Sequence, residues 1–154
     1  MSVYAYLYIM IKNTTITKQL MIGGQALVKL GSSRSTFDTD YLINDVNSKV
    51  AFIHDPEKNI DYCNANGNDF FADVWEMEKN NNGEIASPQA LLELKAYSFV
   101  QHCLNGFFKK ADEAEYDLKF LAREFNLSKI KIANKHISEG ELREVNKVID
   151  SLKK

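Results

Sequence analysis

The run IGGQALVKLGSSRSTFDTDYLI occupies residues 22–43 and changes character three times. It opens at the end of a β-branched, apolar stretch (residues 14–22) that reads as a strand halted by Gly23-Gly24. Residues 25–30 are mostly helix formers, with Leu27 and Leu30 on one face and Ala26 beside them. Gly31 suits the position just past a helix end. A polar loop, 32–36, then leads into FDTDYLI at 37–43. Strand alternation puts Phe37, Thr39, Tyr41 and Ile43 on one face and Asp38, Asp40 and Leu42 on the other.

Two carboxylates at i and i+2 on one strand can converge on one divalent ion. Hard oxygens hold Mg²⁺ or Mn²⁺ in this way while substrate phosphates complete the octahedron. The Gly23-Gly24 turn before a helix offers free N–H groups, and glycine lets an anion approach the backbone closely. Ser32, Ser33 and Arg34 lie between that turn and the acidic strand, where two hydroxyls and a guanidinium can grip phosphate oxygens. Each piece alone is common: a glycine turn, a solvated loop, an Asp-x-Asp. Their order is the informative part.

Outward from this run, residues 49–54 and 59–63 read as a short antiparallel hairpin around the turn Asp55-Pro56-Glu57-Lys58. A helix is expected over 69–79, ended by Asn80-Asn81-Asn82-Gly83. Ser87-Pro88 starts another that runs to about Leu104. A third covers 112–125. The last starts at Ser138, where Ser138 and Glu141 form a capping box ahead of an apolar face of Leu142, Val145, Val148, Ile149 and Leu152. The expected class is α/β (α+β): a small mixed sheet over 1–85 and a helical half over 86–154 packed on it.

The 154 residues carry 19 basic and 21 acidic side chains, a net charge of −2, which argues against broad binding of duplex DNA. The opening MSVYAYLYIMIK is too short to span a bilayer and lacks a basic start and a small-x-small cleavage site. It reads as a first core element, with no membrane association and the cytoplasm as the expected location. Cys63 and Cys103, far apart and outside any CxxC, read as reduced, partly buried thiols. His54, His102 and His136 are scattered and none is expected to be a ligand. Lys129, Lys131 and Lys135 read as a solvated basic surface, the sharper alternative being an RNA contact.

The whole run from Ile22 to Ile43 resembles the signature of the nucleotidyltransferase superfamily: a hydrophobic residue, Gly-Gly, a helix, a polar loop, then hydrophobic-Asp-x-Asp-hydrophobic. Arg34 to Asp40 looks especially like the branch of the abortive-infection toxin nucleotidyltransferases and their uncharacterised relatives. Downstream, residues 87–95 (SPQALLELK) and 109–118 (KKADEAEYDL) are similar to two helices of that branch. One difference is Ala114, where the branch places a carboxylate three residues before Asp117.

The resemblance implies an Mg²⁺- or Mn²⁺-dependent enzyme that moves a nucleoside monophosphate from a nucleoside triphosphate to an RNA, protein or small-molecule acceptor. Asp38 and Asp40 would bind metal. A third carboxylate, from a neighbouring strand, would complete the site or act as base. Asp61 is the candidate, and Asp55 the fallback. Gly23, Gly24, Ser33 and Arg34 would hold the triphosphate. Lys95 would offset its charge, with Asp117 at the pocket edge. The alternative is a non-catalytic nucleotide-binding or interaction module that keeps the fold.

Overall fold

Four strands and five helices follow one another along residues 18–152, the part of the chain that the computed structural model describes. The class is α+β. The expectations placed on residues 3–11 and 14–17 lie outside the described residues. The chain divides into two compact units, one ending at Ala86 and one beginning at Ser87.

The first unit is built on a mixed sheet. Strands β1 (Leu20–Ile22), β2 (Thr39–Ile43), β3 (Phe52–Asp55) and β4 (Ile60–Asn64) stand in the order β1-β2-β4-β3. β1 is antiparallel to β2, β2 is parallel to β4, and β3 is antiparallel to β4. The chain therefore leaves β2, passes to the far edge as β3, and returns between them as β4. The outer side of β1 is also paired: the Met21 N–H donates to the Glu84 carbonyl (2.8 Å), and the Ala86 N–H to the Met21 carbonyl (3.0 Å).

Alternation sorts the side chains. On one face, Ile43, Ile53 and Tyr62 form a buried cluster with Tyr41, Val50 and Ile60 against it. Tyr41 and Tyr62 stack with centroids 6.1 Å apart. The other face carries Leu20, Ile22, Leu42 and the polar row described below. Helix α1 (Gly23–Lys29) buries Ala26 and Leu27 and packs on β1 and β2. Helix α2 (Asp69–Met77) starts at Asn68, whose side chain accepts from the Phe71 N–H at 3.0 Å.

The β2–β3 connection is held by buried polar groups. The side chain of fully buried Asn64 accepts from the Asp45 N–H (2.9 Å) and donates to the Ser48 (3.1 Å) and Val50 (3.0 Å) carbonyls. Backbone groups that a loop would otherwise leave dry are thus paired.

The second unit is helical: α3 (Pro88–Leu104), α4 (Phe108–Glu124) and α5 (Glu139–Asp150). Ser87 caps α3 with Pro88 in its first turn, and the Ser138–Glu141 capping box is present in both directions. Helix α4 begins four residues earlier than the expected 112: Gly106, at φ +74°, makes the turn, and the chain is helical again by Phe108. Small residues Ala111 and Ala114 let α4 lie close to α3, with Leu91, Leu92, Val100, Leu118 and Leu121 filling the contact and Val145, Val148 and Ile149 closing it.

Inside this unit two carboxylates are buried. Glu93 is fully buried and accepts from three successive backbone N–H groups: Lys131 (2.8 Å), Ile132 (2.6 Å) and Ala133 (3.0 Å). Gln89 Nε2 donates to it as well, at 3.1 Å. The side chains of Lys129, Lys131 and Lys135 are exposed, while the backbone of their segment is tied to Glu93. Asp117, also fully buried, meets the Lys95 ammonium at 2.9 Å.

Candidate functional site

The two glycines have separate jobs. Gly23 has φ +71°, a left-handed conformation that side chains with a Cβ adopt at a cost. The space a Cβ would take there is filled by the Asp40 carboxylate. At Gly24 the same space is filled by the Arg34 guanidinium and the Thr36 hydroxyl. The glycine pair thus seats the acidic strand against one residue and the arginine loop against the next. Two bonds set the loop: the Arg34 N–H donates to Ser32 Oγ (3.2 Å), and Gln25 Nε2 to the Thr36 carbonyl (3.0 Å). Ser32 is buried and Ser33 exposed.

Parallel pairing sets Asp40 directly beside Asp61, and antiparallel pairing sets Asp61 beside His54. Registered neighbours share a face. A polar row, Asp40–Asp61–His54, therefore runs across β2, β4 and β3. His54 Nδ1 lies 2.6 Å from Asp61 Oδ1. Asp38 precedes β2 rather than lying within it, and Asn59 Nδ2 donates to its Oδ1 at 3.2 Å. Asn59 comes from the β3–β4 turn at φ +53°, a conformation asparagine tolerates.

Asp55, the fallback for a third carboxylate, is buried and has a structural task. Its Oδ1 accepts from the Glu57 (3.0 Å) and Lys58 (3.1 Å) N–H groups, closing the hairpin turn. Lys95 belongs to the helical unit, where its ammonium meets Asp117. The residue that sequence reasoning passed over is His54. A turn confined to 55–58 would set 54 opposite 59; the observed pairing of Asp55 with Ile60 sets it opposite Asp61 instead.

The donor chemistry suits a hard cation carried in by phosphate. Mg²⁺ is commonly held by one or two carboxylates with substrate phosphates supplying further oxygens. Asp40 and Asp61, side by side, offer that share, with Asp38 two residues before Asp40. Among the described residues no three His, Cys, Asp or Glu side chains form a group that would hold a metal by themselves.

Cys63 follows Asp61 on the same face and is partly buried; Cys103 is exposed, unlike its expected placement. Burial pushes the Cys63 thiol up to about 12, with the negative charge of Asp40 and Asp61 adding to it. At pH 8, iodoacetamide should label Cys103 well before Cys63, as read by peptide mass spectrometry. The folded thiol keeps its proton while the unfolded one releases it near the ordinary value of 9.0. Stability is then unaffected well below pH 9 and falls as pH rises through it, the loss reaching about 1.4 kcal/mol in all by pH 10. Cys63→Ala should remove that part of the alkaline loss in urea titrations at pH 8 and 10.

No protein-family model, characterised protein or solved structure matches this chain.

Proposed function

We propose that the chain is a divalent-cation-dependent nucleotidyltransferase that moves a nucleoside monophosphate from a nucleoside triphosphate to an acceptor hydroxyl. The observation that carries this reading is the pairing of Asp40 with Asp61 on neighbouring strands, seated against the Gly23 turn. The bound cation would screen phosphate charge and favour displacement at the transferred phosphorus. Asp40 and Asp61 would supply its protein oxygens, with Asp38 beside them. Arg34 reaches the same glycine turn from the loop and presents a planar, permanently charged fork suited to phosphate oxygens. Ser33 is exposed next to it. Asp61 would accept a proton from an acceptor hydroxyl, and catalysis would consist mainly of positioning and charge stabilisation.

The acceptor is an RNA, a protein or a small molecule. The resemblance of residues 34–40 to toxin-type enzymes favours the first two and a cytoplasmic setting. Among the described residues no helix is long and apolar enough to cross a membrane.

Calorimetry with ATP and GTP should find Mg²⁺-dependent binding that weakens at least about tenfold, ~1.4 kcal/mol, in Asp38→Ala and Asp40→Ala. Equal, metal-independent affinity in all three proteins would remove the site. Labelled triphosphates incubated with the protein, Mg²⁺ and total RNA or lysate protein then test transfer.

A second reading, a nucleotide-binding module without turnover, is favoured by one observation: Asp61 is engaged by His54 rather than grouped with two further ligands. Metal-dependent binding with no label transfer to any acceptor would select it.

A further inference from the structure

Asp61 is the least constrained member of the acidic pair by sequence, and His54 constrains it. A carboxylate can only accept, so at 2.6 Å the Nδ1–H of His54 donates to Asp61 Oδ1. The two residues are register partners on antiparallel strands, so the backbone already sets their spacing. One carboxylate oxygen is thereby held toward β3, and on its other side Asp61 is the register partner of Asp40. Both side chains are well exposed, 41% for His54 and 47% for Asp61. An exposed pair of this kind adds little to stability. The bond therefore makes better sense as a constraint on where Asp61 points than as a support for the fold.

We propose that His54 is a positioning residue: it fixes the Asp61 carboxylate beside Asp40 so that the two can share one divalent cation brought with a nucleotide. This rests on the nucleotidyl-transfer reading above. Carboxylate ligands that are themselves hydrogen-bonded bind metal more tightly, and loss of such a partner commonly costs 10–100-fold in affinity.

The test uses the whole chain and three variants: His54→Ala, His54→Asn and Asp40→Ala. Binding of Mn²⁺ alone, and of ATP with Mg²⁺, is measured by calorimetry, and each thermal midpoint is recorded. Asparagine places its Nδ2 near the position of the histidine Nδ1, so it can restore the donated bond without the ring. The expected result is that His54→Ala weakens binding of ATP with Mg²⁺ about 10–100-fold. His54→Asn should recover most of that loss, and both variants should keep the wild-type midpoint.

Wild-type affinity in His54→Ala would overturn the role of His54 and leave the acidic site standing. So would a loss of affinity that asparagine does not restore, or one that tracks a fall in thermal midpoint. A different result overturns the reading beneath it: wild type binding neither Mn²⁺ nor ATP with Mg²⁺, or Asp40→Ala binding both as well as wild type.

Discussion

Lys95→Met should destabilise the helical unit by about 3–5 kcal/mol, the usual cost of removing one partner from a buried ion pair. Lys95 is only 15% exposed and Asp117 is not exposed at all, so the carboxylate cannot turn to solvent when the ammonium goes. The pair joins α3 to α4, and the two residues are 22 apart in sequence. Urea unfolding followed by far-ultraviolet circular dichroism measures the effect. A second variant separates charge from packing: Lys95→Met with Asp117→Leu removes both charges and should regain the larger part of the loss, since apolar replacements of buried pairs are often neutral or better. The family-derived role for Lys95 makes the opposite forecast for the single variant: an intact fold and weaker binding of triphosphate than of monophosphate. Running both measurements on Lys95→Met decides between an internal tie and a phosphate contact.

Glu93→Ala should cost about 3 kcal/mol by a different route. Three consecutive backbone N–H groups, 131–133, converge on this carboxylate. Removing it leaves them to find water or go unpaired, and a buried donor left without an acceptor costs ~1–3 kcal/mol. The segment ahead of α5 has lost its anchor in that variant, so amide exchange at 131–133 should quicken more than exchange in the middle of α3. Glu93→Gln keeps one acceptor oxygen without the charge, and its loss should be about half as large. Unchanged exchange at 131–133 in Glu93→Ala would show that the segment is held by its apolar contacts alone.

Local chemistry was readable in the sequence wherever it was set by near neighbours. Ser87-Pro88 and the Ser138–Glu141 box mark helix starts because capping is decided within four residues. The Asp55-Pro56 turn gives the hairpin for the same reason. Gly23-Gly24 reads as a turn, but not as the seat of Asp40 and Arg34. That depends on where a strand 17 residues on and a loop 10 residues on return in space. Helix α4 starts four residues ahead of the expected 112 because the left-handed Gly106 has already finished the turn, which composition alone does not show. Strand β2 begins at Thr39, after the exposed Phe37, so Asp38 stands at its threshold. The Glu93 anchor spans 38–40 residues and the Lys95–Asp117 tie joins two helices. Neither leaves a periodic trace, since a buried charge looks on paper like any helix-surface residue.

The hairpin between β3 and β4 also bears on which length changes the chain can tolerate. Side chains alternate with period two, so inserting or deleting one residue between Asp55 and Ile60 turns β4 over, if its pairing with β2 slips by the same step. Tyr62 would leave the cluster it shares with Ile43 and Ile53, and Asp61 would be pressed into its place. Core and acidic row would be lost in one event. A two-residue change keeps every side chain on its own face and, with the same slip, trades both His54 and Asp40 for other neighbours of Asp61. Among natural variants of this turn, even steps should therefore survive as folded proteins with an altered acidic row, whereas odd steps should be purged for failing to fold at all.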